Sequence, residues 1–398
     1  MEKKIIGIIA EYNPFHNGHK YQITYAKKDL GAEYCVVVMS GNFVQRGVPA
    51  IIDKYSRAQM AIAEGADLVF EIPACFATGS LDDFALGAVS LVNSLGVVSH
   101  LLFGSETGKI EIISCISKAM TSDFKSYSII RSAMKSGLSV ANAMKTPLSN
   151  LQGKKLFQEC TEAVSKPNNI LGVLYMNALS YLNSNIVPVT HARIGQAYLD
   201  DCYHNMLSGN GFASATAIRK CIYSNKQNIS IELSKYIPNK SFQSLVERLQ
   251  ERKPISEDDC WSLLCQKLQT NSSSLTDFRL VSPIIANAIA EGLNQSHSWE
   301  ELVKYVSAIG VSPSKVNRCL THILLGITER VVKEFLEDEI CYYAKVLGVS
   351  TQGCILLERI RSTSTIPILC IKEPSGLSAI AKSQLNIDLI ADRIYASL

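Results

Sequence analysis

The sequence has no C-x-x-C pair, no apolar run of about 18 residues, no internal repeat and no low-complexity tract. Each absence removes a class of protein. Twelve scattered cysteines, with Cys260 and Cys265 the nearest pair, lack zinc-ligand spacing. Without a long apolar run no membrane span is expected. The start, MEKKIIGIIAEYN, is charged and then apolar. Its apolar part is too short for a secretory signal, and Glu11 ends it without a small-residue cleavage site. A cytoplasmic chain with reduced thiols, most of them small core residues, is expected. A dominant charge is lacking too: 39 Lys and Arg face 36 Asp and Glu, for a net charge of +3. That balance permits a polyanionic partner through a local patch without demanding one.

What is present is apolar surface to bury. Apolar residues make up 47% of the 398 and charged residues 19%, which suits a packed chain of two or three domains. The first third alternates: IIGIIAEY, EYCVVVMSG, DLVFEIP and SHLLFGSE read as buried strands. HKYQITYAKKDLG, DKYSRAQMAIAEGA and SLDDFALGAVSLVNSLG read as the helices between them. This rhythm predicts an α/β fold with a doubly wound parallel sheet. A helical stretch, a break at KPNN, a short strand IVPVTHARIG and a helix start at ASATAIR follow. From about residue 229 the pattern becomes amphipathic helices, with one further strand in TIPILCI. The expected division is a catalytic domain over residues 1–228 and a mainly helical domain over residues 229–398.

Histidine is scarce, seven in all, yet His16 and His19 stand three apart in EYNPFHNGHKY, directly after the first strand. Ligands of doubly wound sheets bind at the C-terminal strand ends. A helix start offers unpaired N–H groups to an anion, and Gly18 admits close approach. Two imidazoles one turn apart can donate to phosphate oxygens and stabilise charge at a phosphorus under attack. A structural pair remains an alternative. So does a metal site, although Glu11 is the only other ligand in that loop.

The segment HNGH resembles the H-x-G-H signature of the nucleotidyltransferase superfamily, and ASATAIR resembles its second phosphate motif. AEYNPFHNGHKY, VMSGNFVQRGVPA, FGSE, KPNNILG and ASATAIR, in this order, resemble the bacterial tRNA(Met) cytidine acetate ligase family, nearly end to end. That family carries a glutamate in the helix after its P-N-N segment, where this chain has Leu174.

The resemblance implies activation of acetate by ATP as acetyl-adenylate, then acetylation of the wobble cytidine of elongator methionine tRNA. It implies ATP contacts at Ile8, Ile9, Ala10, Glu11, Tyr12, Asn13, Pro14, Phe15, His16, Asn17, Gly18, His19, Lys20 and Tyr21. Further contacts fall at Gly104, Asn168 and Arg193, with Ser214, Thr216 and Arg219 on the β- and γ-phosphates. Gly104 also reads as an ordinary strand-end glycine, Asn168 as a helix cap and Arg193 as a surface charge. His16, His19 and Arg46 are the expected catalytic residues. Arg46, in SGNFVQRG, would hold the acetate carboxylate or the tRNA backbone, with Gln45 beside it. A turn built by Ser40, Gly41 and Asn42 is the plain alternative. Lys54 and Arg57 read as solvated charges, with contact to tRNA the alternative. The tRNA is expected on the second half, at Lys315, Arg318, Arg359 and Arg361, with Lys345 and Lys372 as further basic candidates. Magnesium accompanying ATP is plausible, with no protein ligand assigned. The competing reading is a small-molecule adenylyltransferase of cofactor synthesis, built on the same two phosphate motifs.

Overall fold

Strand β1 (Lys4–Ala10) sets the pattern of the sheet. Ile5 faces one apolar layer and Ile6 and Ile8 the other, because successive strand side chains alternate. In β2 (Ala32–Ser40) Val36 and Val38 join the first layer, Cys35, Val37 and Met39 the second. Strands buried on both faces read as continuous apolar runs, which is why the sequence shows them clearly. A short hairpin of β3 (Phe43–Val44) and β4 (Val48–Pro49) follows β2. Then come β5 (Leu68–Ile72), β6 (His100–Ser105) and β7 (Val187–Ala192).

The computed structural model describes residues 4–121, 148, 154–193, 212–224, 231–337, 339–370 and 376–398. Its main sheet has the order β7-β6-β1-β2-β5-β8-β9. Strands β7, β6, β1, β2 and β5 are parallel. Helices Asn17–Thr24 and Lys54–Ala63 lie on one face, and Leu81–Ser94 and Pro167–Tyr181 on the other. The doubly wound expectation is met.

The second half supplies more than helices. β8 (Ala344–Val349) pairs antiparallel with β5, and β9 (Ile368–Leu369) pairs parallel with β8. One apolar cluster runs from Val36 and Phe70 through Trp299 and Leu320 to Leu385. The sheet and its core therefore cross residue 228. Helices Asn239–Glu251, Trp261–Thr270, Pro283–Leu293, Trp299–Ser307 and Pro313–Leu325 form the helical part. Pro238 separates Asn239–Glu251 from a short 3-10 turn, Ile231–Lys235, where the sequence pattern runs on as one helix. That turn sits on the histidine loop, with Asn17 N donating to the Tyr236 carbonyl at 2.9 Å.

Candidate active site

The end of β1 turns sharply. Tyr12 has a left-handed φ of 49°, and Asn13–Pro14 is a cis peptide. Tyr12 and Phe15 drop into the core, so their side chains are unavailable to a ligand, as is that of Ile8. Asn13 accepts from Ile51 N at 2.9 Å. Of this stretch the structure leaves backbone, His16, Asn17, Gly18 and His19 at the helix start. Lys20 pairs with Glu64 at 2.9 Å.

His16 is the N-cap of Asn17–Thr24. Its Nδ1 accepts from Gly18 N at 3.1 Å, and His19 Nδ1 accepts from His16 N at 3.2 Å. This is a reciprocal capping box built from imidazoles. The bonds fix the tautomer: with both Nδ1 atoms accepting, each neutral ring carries its proton on Nε2. The rings stack 3.6 Å apart, which puts two N–H donors on one small patch. Burial, with Arg193 and Arg219 nearby, pushes His16 down to about 3. Burial, His16 and Arg193 hold His19 well below its ordinary value. Both are neutral donors.

The ASATAIR segment comes to the same place. Ser214 Oγ accepts from Ala217 N at 3.1 Å at the start of helix Ala215–Ser224. Arg219 donates to the Asn13 carbonyl at 2.6 Å and to Thr216 Oγ1 at 3.2 Å. The two phosphate motifs, some 200 residues apart in sequence, thus meet directly through Arg219 and Asn13.

Across β6 and β7 lie the remaining expected residues. Glu106 caps helix Pro167–Tyr181, accepting from Asn168 N at 3.1 Å and Asn169 N at 2.8 Å. It also accepts from Asn168 Nδ2 at 2.8 Å, and Asn168 Oδ1 accepts from Arg193 Nη1 at 3.2 Å. A Cβ on Gly104 would lie 3.0 Å from Arg193 Cγ and 3.2 Å from the His191 ring. The bare Cα is what lets those two side chains lie over the strand. Leu174 is buried in the apolar cluster.

The SGNFVQRG loop borders the site. Glu11 Oε1 accepts from Gln45 N at 2.7 Å, tying the loop to the end of β1. Arg46 is exposed and forms no ion pair among the described residues. Helix Pro313–Leu325 packs on the next residue. Gly47 has φ 74°, a Cβ there would collide with the backbone of Asn317 and Arg318, and Thr321 Oγ1 donates to its carbonyl at 2.7 Å. Arg318 is largely covered, with a buried Nε that has no partner among the described residues.

Several basic residues lie elsewhere than the sequence pattern suggests. Lys54 and Arg57 are fully buried, not solvated. Arg57 donates to the carbonyls of Glu11, Ser40, Gly41 and Ile52. Lys54 bonds both oxygens of Glu71 at 2.7 Å and Asp392 at 2.5 and 2.7 Å. Lys345 joins the same group, 3.0 Å from Glu71 and 3.1 Å from Asp392, and is not a free RNA contact. Arg359 and Arg361 are exposed on helix Thr351–Thr363. That helix begins against Asp67, before β5, and ends against Leu95, before β6. It therefore lies at the N-terminal ends of the parallel strands, the end opposite the histidines. Lys372 falls outside the described residues. Sequence reasoning missed His191 and the capping role of Glu106. Proximity to Arg193 and to FGSE was the available signal. Among the described residues no group of three His, Cys, Asp or Glu side chains is placed to hold a metal ion.

Over residues 3–398 the chain matches the family described as HIGH Nucleotidyl Transferase. It is 32% identical over 398 residues to the tRNA(Met) cytidine acetate ligase of Acetivibrio thermocellus, covering 98% of this chain and 94% of that one. It is 35% identical over 397 residues to the ligase of the same name from Clostridium novyi, covering 99% and 95%. The crystal structure of Thermotoga maritima TmcAL bound with alpha-thio ATP matches with a TM-score of 0.87 at 28% identity, covering 99% of this chain and 94% of that one. The chain belongs to the HIGH nucleotidyl transferase family, among its tRNA(Met) cytidine acetate ligases.

Proposed function

We propose that this chain is an ATP-dependent ligase that activates acetate as acetyl-adenylate and acetylates the wobble cytidine of elongator methionine tRNA to N4-acetylcytidine. The observation that carries the reading is the meeting of the two phosphate motifs through Arg219 and Asn13, in a chain similar along its whole length to enzymes of that name.

In the first step an acetate oxygen attacks the α-phosphorus and pyrophosphate leaves. His16 and His19, held neutral with Nε2–H outward, would donate to the phosphate oxygens on which charge builds. The backbone N–H groups at the start of Ala215–Ser224, with Ser214, Thr216 and Arg219, would hold the leaving pyrophosphate. Gly104, Asn168 and Arg193 would take the nucleoside end. In the second step the exocyclic amine attacks the acetyl carbon and AMP leaves. The cytidine must leave its stack to reach the cleft. No covalent enzyme intermediate is needed, so positioning and charge neutralisation do the work. Magnesium would arrive with the triphosphate rather than in a protein cage.

Arg46 is our candidate for the acetate carboxylate or the nearest tRNA phosphate. The nucleotide chemistry is assigned to residues 1–228 and the tRNA contacts to residues 229–398, a division of labour rather than of packing. Lys315 and Arg318 would meet RNA at the lip of the cleft, and Arg359 and Arg361 at the N-terminal ends of the strands. A cytoplasmic setting fits this reading: every described cysteine is a free thiol, and no described helix is long and apolar enough to cross a membrane.

ATP–pyrophosphate exchange with a panel of carboxylates tests the proposal. Exchange that requires acetate supports it. Exchange indifferent to any carboxylate would instead favour the small-molecule adenylyltransferase.

A further inference from the structure

His191 is 93% buried by its relative exposure of 7%, yet its Nε2 has no hydrogen-bond partner among the described residues. Its Nδ1 lies 3.0 Å from the Ala192 carbonyl oxygen, which only accepts, so Nδ1 carries the proton. Burial and Arg193 oppose protonation of the ring. Nε2 is therefore a bare acceptor. A buried acceptor without a partner is costly and calls for a reason.

Its surroundings supply one. The His191 ring lies over the bare Cα of Gly104, beside the stem of Arg193. The rings of Tyr21 and Tyr25 flank it, each with its centroid 5.4 Å away. An accepting nitrogen repels phosphate and carboxylate, so the ligand group that meets it must be a donor. On ATP the donors are the 6-amino group of adenine and the ribose hydroxyls. The triphosphate end is taken by His16, His19 and Arg219, which leaves the nucleoside end to β6 and β7. Aromatic walls and an arginine stem suit a planar base better than a sugar.

We propose that His191 Nε2 accepts a hydrogen bond from the 6-amino group of ATP and so selects adenine at this site. The proposal rests on the reading that ATP binds here with its base over Gly104. A site built to accept from one amine discriminates strongly against an analogue that lacks it.

The test uses the full chain with ATP, purine riboside triphosphate (hydrogen in place of the 6-amino group) and 2′-deoxy-ATP. Equilibrium dissociation constants and KM in acetate-dependent exchange are measured for wild type, His191→Leu and His191→Gln. Wild type is expected to favour ATP over the purine analogue at least tenfold. In His191→Leu that ratio should fall below about twofold, while His191→Gln, which keeps an acceptor, recovers part of it. An unchanged ratio in His191→Leu overturns the proposal. So does a loss of discrimination against 2′-deoxy-ATP instead, which would put the ribose at His191. If His191→Leu does not fold, wild type alone decides: equal affinity for ATP and the purine analogue sinks the idea. Selective ATP binding without acetate-dependent exchange would overturn the ligase reading and leave this inference standing.

Discussion

Two charged groups flank the loop Ser40–Ala50, and they are built on opposite terms. On one side Lys54 and Lys345 share Glu71 and Asp392, and Asn42 ties the loop to the same Asp392 at 3.0 Å. Every cation there has its carboxylate. On the other side stand His16, His19, Arg46, Arg193 and Arg219. Among the described residues none of those three arginines has a carboxylate within ion-pair distance. Buried charge is costly unless paired, so the first group reads as scaffold. The second has partners for its donors only in part, and an anion would complete it. Local sequence cannot separate the two, since each gathers its basic side chains from widely separated stretches of chain. The partners separate them.

The comparison breaks most visibly at Lys54. Lys54→Met should destabilise the fold by about 3–5 kcal/mol, because it leaves Glu71 and Asp392 short of a countercharge. Urea denaturation measures this. A loss below about 1 kcal/mol would mean the group is not scaffold.

Next are the histidines. His16→Asn keeps a side-chain acceptor for the Gly18 N–H but removes the imidazole donor. His19→Ala removes the other. Each should slow adenylate formation at least tenfold, about 1.4 kcal/mol, with the fold intact. Normal exchange in either folded variant removes that histidine from the site.

The burial of His16 also has a consequence for pH. His16 titrates near 3 in the folded chain against 6.5 when unfolded. Between these values the unfolded chain binds more protons, so this contribution to stability is complete above 6.5 and is lost as pH falls. At pH 5 the loss from this one group is about 2 kcal/mol. His16→Asn should lose stability less steeply from pH 7 to pH 5 than wild type. Parallel curves would show that His16 is not held neutral.

The smallest effects belong to the RNA surface. Replacing Lys315 with Arg318 together should weaken tRNA binding and reduce the log–log salt slope by about 1 to 2, leaving exchange nearly unchanged. Removing Arg359 and Arg361 together should do less, since they lie at the N-terminal ends of the strands, away from the histidines. The reverse order would move the RNA to that end.

Much of this was legible in the sequence. Doubly buried strands announce themselves as apolar runs, and HNGH and ASATAIR carry their chemistry in local spacing. What was not legible is what depends on distant partners. Lys54 looks solvated until Asp392 arrives from the last helix. Lys345 looks like a free cation until β8 sets it beside Glu71. Asn13 also carries Ile51 on its side chain and Arg219 on its carbonyl, a purpose no local pattern shows. His191 offered only its place two residues before Arg193 as a signal, because its interest lies in a bond it does not make.

The central claim is that the unpaired donors around His16 and His19 serve acetyl-adenylate chemistry for a tRNA. Its most direct test is to incubate the full chain with ATP, isotope-labelled acetate and elongator methionine tRNA, and to analyse nucleosides and nucleotides by mass spectrometry. The expected result is labelled N4-acetylcytidine with AMP and pyrophosphate formed in equal amount. Formation of ADP, or an absence of labelled acetylcytidine while exchange proceeds without acetate, would contradict the account.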